Sequence, residues 1–238
     1  MKANFLLIIA FLFLTNCKRE QKISSSDWVI VSSRLQFKED GAKLDLKSGN
    51  FNYSFEKSKV PFRKIILLNA SLMGFVSELK AENVVIGIAS PEYIYSEKID
   101  QLLKSGKIQN VGNEQKYDVE KIISMKPDAI FTNYIASFDN TYQLLKNNNI
   151  QVIFLDEYME QSPMVKTSYI KLFGKLLGKE KEAEGKFNQI QKNYNDLKTL
   201  ASKATSKPNV LANEMYGDVW YMPGGKTFTA NYVADANA

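Results

Sequence analysis

Residues 64–88 read KIILLNASLMGFVSELKAENVVIGI. The runs at both ends, Lys64–Leu68 and Val84–Ile88, are continuously apolar, as strands buried on both faces are. Between them Ser71–Lys80 carries apolar residues at helical spacing. A strand, a helix and a second strand in so short a stretch specify a parallel pair joined by a crossover. The same texture continues, with predicted strands at Ile108–Val111, Ala129–Thr132 and Val152–Leu155. Predicted helices at Ser96–Lys104, Asp118–Met125 and Asn140–Asn147 separate them. The fold class expected is α/β, a Rossmann-like lobe with a parallel sheet covered on both faces.

Such sheets take ligands on the loops beyond the carboxyl ends of their strands. Those loops carry Ser71, then Tyr93 and Tyr95, then Glu114 and Tyr117, then Asn133 and Tyr134. Hydroxyls, amides and phenol rings suit a broad, partly polar ligand that stacks and exchanges hydrogen bonds. After the fifth strand come Asp156, Glu157 and Glu160, acids that acid–base chemistry can use. Their sequence neighbourhood holds no nucleophile, and charge before a helix at Pro163 accounts for some of them.

Around this lobe the chain divides into five expected parts. Residues 1–17 are a signal segment, residues 18–60 a polar tether and a small β segment, and residues 61–160 the lobe. In the β segment, strands at 27–37 and 50–55 flank the polar connection KEDGAKLDLKSG. Residues 161–206 are helical: Ser162-Pro163 is an N-cap followed by proline at the first position, with a stop near Gly178. A longer helix follows at Lys181–Ser202, its apolar stripe formed by Ala183, Phe187, Ile190, Tyr194, Leu197 and Ala201. Residues 207–238 open a second α/β lobe with a strand in NVLANEM, a turn at Gly217-Asp218, and a helix from Thr227. Tyr216 and Trp220 sit on its loops as further ligand candidates. The segment PGGKT, 223–227, ends like a phosphate loop, but Trp220 stands where that motif needs glycine, so it reads as a turn.

Composition removes whole classes of chemistry. The chain has no histidine and one cysteine, Cys17, so imidazole-ligated zinc, His-based triads and an internal disulfide are excluded. The net charge of +5 comes from dispersed lysines, without the stripe or motif of a nucleic-acid binder. At the start, a lysine, an apolar run at Phe5–Leu14 and then Cys17 form a secretion signal too short to span a bilayer. Leu14-Thr15-Asn16-Cys17 resembles a bacterial lipobox with Asn16 as a departure, which implies acylation of Cys17 and anchorage to a lipid bilayer.

Taken in order, RKIILLNASLMGFVSELKAENVVIGIASPEYI, VGNEQKYDVEKIISMKPDAIF and GKLLGKEKEAEGKFNQI resemble the periplasmic substrate-binding proteins of iron-siderophore, haem and cobalamin ABC importers. The resemblance implies two α/β lobes joined by a long spine helix, here Lys181–Ser202, with ligand in the cleft between them. It implies that the second lobe is incomplete here, and a monomer that takes a ferric siderophore, corrinoid or haem and has no cofactor or metal of its own. Glu120, opening the predicted helix before Lys126-Pro127-Asp128, matches the glutamate that such receptors present to the ABC permease. The location implied is the periplasm or cell envelope. Two other readings stay open: an envelope enzyme using carboxylates on a Rossmann-like scaffold, and a scavenging lipoprotein without a transporter.

Overall fold

The computed structural model describes residues 27–113 and 115–238. Cys17, its signal segment, the tether through Ser26, and Glu114 lie outside the described residues. Four antiparallel strands come first and pair in chain order: β1 (Val29–Ile30), β2 (Leu35–Asp40), β3 (Lys43–Ser48) and β4 (Phe51–Glu56). Strand β3 lies inside the segment expected to be a connection. Its alternation places Leu44 and Leu46 in the core and the charged side chains between them outward, which is a half-buried strand.

The parallel sheet is built from β5 (Ile65–Leu67), β6 (Val85–Ile88) and β7 (Gln109–Asn110), then, after a small hairpin of β8 (Gly112–Asn113) and β9 (Lys116–Tyr117), β10 (Ala129–Thr132) and β11 (Gln151–Phe154). Its spatial order is β11-β10-β5-β6-β7, and every pair is parallel. The chain moves outward from β5 in one direction and then in the other, so the order reverses between β5 and β10. Both faces are buried: Ile65 and Leu67 join one apolar cluster, Ile66 and Leu68 the other. Strand β11, an edge that would expose unpaired backbone, is covered by the antiparallel sheet. The Tyr53 hydroxyl accepts the Phe154 N–H at 2.8 Å, and the Phe51 ring packs at a tilt against Phe154.

Crossover helices are α1 (Met73–Glu78), preceded by a tight 3-10 turn at Ala70–Leu72, α2 (Glu97–Lys104), α3 (Val119–Met125) and α4 (Asp139–Asn147). Asp118 caps α3 by accepting the Lys121 N–H at 3.1 Å. Lys126 ends it in the left-handed conformation. Asp128 then accepts the N–H groups of Arg63 and Lys64, tying the start of β10 to that of β5.

The helical region begins with Ser162 as cap and Pro163 at the first position. It is interrupted at Tyr169, giving α5 (Pro163–Ser168) and α6 (Ile170–Leu177), and Gly178 closes α6 at φ 67°. The long helix α7 (Glu180–Ala201) crosses α6 closely, because Gly174 lies where a β-carbon would strike that of Ala183. Only the first part of its apolar stripe is buried, at Ala183 and Phe187; Leu197 is exposed. Beyond it, NVLANEM is not the expected strand. Only Met215–Tyr216 (β12) pairs, with Val219–Trp220 (β13), because the preceding residues have no neighbouring strand among the described residues. The last helix, α8 (Phe228–Asp235), is capped by Thr227. Asp235 accepts from Tyr194 at 2.6 Å and pairs with Lys198, which holds α8 against α7.

Candidate functional site

The strand order reverses between β5 and β10, and open α/β sheets take ligands at the carboxyl edge beside such a reversal. From β5 the chain enters Asn69-Ala70-Ser71. The Asn69 side chain folds back to accept the Ser71 N–H at 3.0 Å, an Asx turn. From β10 it enters Asn133-Tyr134, and Asn69 Nδ2 lies 3.4 Å from Asn133 Oδ1. The loop after β11 adds Glu157, whose Oε1 is 3.0 Å from Ser71 Oγ. Three loops from three strands therefore meet at Ser71, Asn69, Asn133 and Glu157.

Of the residues expected to hold ligand, Ser71 and Asn133 are linked through Asn69, and Tyr134 follows on the same loop as Asn133. Tyr134 packs against Phe51 and Phe154 and keeps 37% of its surface open. Tyr93 and Tyr95 stand on the loop after β6, exposed by 67% and 96%. Tyr117 is a correction: it is 5% exposed, its ring packs on Phe138, and it belongs to the core rather than to a ligand surface. Its alternate position on β9 turns it inward, which loop composition does not reveal. Tyr216 and Trp220 are exposed on the β12–β13 hairpin, where Trp220 donates to the Ala212 carbonyl at 3.1 Å. Asn69 was missing from the expected set, although an asparagine two residues before a serine at a strand end is itself a turn signal.

The three acids after β11 are separated by the fold. Asp156 lies 3.9 Å from Arg34 of the antiparallel sheet, beside the Gly49 turn. Glu160 is buried and accepts from the Tyr169 hydroxyl at 2.9 Å. Glu157 is 1% exposed, and burial pushes its carboxyl above the usual range against smaller opposing effects from Ser71 and Lys166. The three do not converge on one open site.

A cavity of about 570 Å³ lies where Tyr158–Gln161 meets the second segment, lined by Tyr158, Met159, Asn213, Lys226 and Phe228 among others. The Gly224–Thr227 stretch there is a turn, with Thr227 N–H and hydroxyl both bonded to the Gly224 carbonyl. A larger cavity, about 640 Å³, lies at the opposite edge among Lys59, Arg63, Asp128 and Gln151. Size does not decide between them. Asp128 at that edge is already occupied by two backbone donors, whereas the carboxyl edge has the reversal of strand order and the open rings.

The sequence model for the periplasmic binding protein family matches residues 65–238, which takes in the parallel sheet, α7 and the second segment. The chain belongs to that family. Periplasmic binding proteins of this kind are substrate-binding proteins rather than enzymes. An uncharacterized lipoprotein of Methanocaldococcus jannaschii is 25% identical over 188 residues, covering 76% of this chain and 45% of that protein. The chain spans less than half the length of the curated relatives it matches. Among solved structures, the siderophore-binding protein BauB, in complex with two acinetobactin molecules and ferric iron, aligns with a TM-score of 0.55 at 17% identity. That alignment covers 69% of this chain and 56% of BauB. An iron-uptake ABC transporter substrate-binding protein of Streptococcus pneumoniae aligns with a TM-score of 0.56 at 13% identity, covering 71% of this chain and 57% of that one. These likenesses show the periplasmic-binding fold.

Proposed function

We propose that this periplasmic binding protein captures an iron chelate, corrinoid or haem at the carboxyl edge of its parallel sheet and delivers it to an ABC permease from a lipid anchor at Cys17. The observation that carries the reading is the meeting of the loops after β5, β10 and β11 at the reversal of strand order, where Asn69, Ser71, Asn133 and Glu157 are linked. Open rings at Tyr93, Tyr95, Tyr134, Tyr216 and Trp220 supply stacking surface for a large conjugated or chelated ligand. The names of BauB and the pneumococcal protein support an iron chelate as the ligand class. Cys17 and the tether support the anchor, as does the lipoprotein relative.

Glu120 supports the delivery step. It is exposed in the first turn of α3 and has no ion-pair partner among the described residues. An exposed pair contributes only about 0–1 kcal/mol, so its docking role is in position and rate. Replacing Glu120 by Lys is expected to slow uptake in cells several-fold while leaving ligand affinity unchanged; uptake at the unaltered rate would remove Glu120 from the interface.

The chain has two tryptophans, Trp28 and Trp220. Trp28 lies under the Lys38 and Lys47 ammonium groups in the antiparallel sheet, so a Trp28→Phe variant isolates the signal of Trp220. Titration of this variant with ferric hydroxamate, ferric catecholate, haemin and cyanocobalamin is expected to give saturable quenching with one class at micromolar concentration. Absence of a response to all four overturns the reading.

A further inference from the structure

Ser71 Oγ lies 2.8 Å from Asn69 Oδ1 and 3.0 Å from Glu157 Oε1. Its hydroxyl has one proton. The Asn69 atom is an oxygen, since it also accepts the Ser71 backbone N–H at 3.0 Å, and amide oxygens only accept. An ionised Glu157 would likewise only accept. One proton would then serve two acceptors, leaving one of these short oxygen–oxygen contacts repulsive. Placing a proton on Glu157 Oε1 makes both contacts hydrogen bonds: Glu157 donates to Ser71, and Ser71 donates to Asn69. Asn69 in turn donates to Asn133. The environment agrees, because Glu157 is 1% exposed, its Oε2 is buried without a hydrogen-bond partner, and burial outweighs the opposing effect of its own backbone N–H.

We propose that Glu157 is a neutral carboxylic acid in the folded protein and is the positioning residue for Ser71, holding the loops after β5, β10 and β11 in one directional chain of hydrogen bonds. The charged and titratable groups around it act in both directions. Asp156 beside it disfavours ionisation, Lys166 from α5 favours it, and Tyr169 and Glu160 are engaged with each other. Burial outweighs the Lys166 effect. Loss of the proton turns the Ser71 hydroxyl from Asn69 to Glu157 and leaves one Asn69 lone pair empty, which loosens the turn that presents Ser71. The protonation state is a property of the protein without ligand. Its effect on ligand capture rests on the reading proposed above.

The sign of the linkage is fixed by the direction of the shift. A carboxyl that holds its proton longer in the folded than in the unfolded chain gives greatest stability below the ordinary glutamate value of 4.5, and stability declines as pH rises toward the shifted value. Infrared spectroscopy of the ligand-free protein near neutral pH is expected to show a protonated-carboxyl band that Glu157→Gln removes. The same variant, whose amide also donates to Ser71, is expected to flatten the decline of Tm as pH rises above the ordinary glutamate value of 4.5. In Ser71→Ala, which keeps Glu157, the band is expected to shift in frequency as the acid loses its acceptor. The proposal is overturned if the band survives in Glu157→Gln, if it is unmoved in Ser71→Ala, or if the wild-type and Glu157→Gln Tm profiles run parallel. These readings need no ligand, so they fail or succeed separately from the fluorescence titration.

Discussion

A single phenol hydroxyl closes the edge of the parallel sheet. Tyr53 accepts the Phe154 N–H, and burial raises its own pKa, so it remains a neutral acceptor across the physiological range. Removing it in Tyr53→Phe leaves a backbone donor without its partner, and urea unfolding is expected to show a loss of about 1–3 kcal/mol. A second ionisable residue has the opposite pH signature to Glu157. Glu39 is bonded to Lys175 and Lys57, and Lys175 above all holds its carboxyl below the usual glutamate range. Its stabilising contribution is present above the unfolded value of 4.5 and is lost as pH falls through the folded one. Glu39→Gln is therefore expected to lower Tm at neutral pH and to leave it unchanged in strong acid, as calorimetry across pH checks. At this scale some roles were legible: Asp118 as a cap follows from its place before a helical run. Glu157 was legible only as an acid in a cluster, because the contact that fixes it is Ser71 on the β5 loop, 86 residues away in sequence.

Elements were legible where their signals were local. Four of the five parallel strands are mainly apolar runs and the fifth, Gln109–Asn110, lies between buried Ile108 and Val111, while Ser162-Pro163 and Gly178 punctuate the helices as capping chemistry requires. Strand β3 was hidden because KLDLKS alternates with charges on its outer face and follows Gly41, so composition reads as turn. The opposite error affected NVLANEM, whose apolar content has strand propensity but no ladder partner among the described residues. Crossing helices depend on a feature that propensity disfavours. Gly174 sits inside α6, and its lack of a side chain lets α7 approach through Ala183. Gly174→Ala improves helix propensity yet is expected to destabilise by about 1–3 kcal/mol through overpacking, read in the urea midpoint at unchanged slope.

For the whole molecule, alternation of strands and helices gives a parallel sheet, but the spatial order depends on which edge each strand joins. The place where the β5 and β10 loops meet follows from that order. Sequence reasoning put ligand residues on the loops after four of the five strands; the fold links Ser71 to Asn133 through Asn69 and turns Tyr117 into the core. The second segment exposes Leu211, Met215, Tyr216, Tyr221 and Met222, and connects to the first lobe through Asn231 bonded to the Gln161 carbonyl and through Lys166 over the Phe228 ring. The claim that joins these observations is that ligand binds at the carboxyl edge and not in the larger cavity opposite. Amide hydrogen exchange of the full chain, with and without whichever of ferric hydroxamate, ferric catecholate, haemin or cyanocobalamin quenches Trp220, tests it most directly. Protection concentrated at residues 69–71, 133–134 and 158–161 is the expected result. Protection at residues 59–63, 127–128 and 149–151, with the carboxyl-edge loops unchanged, would contradict it.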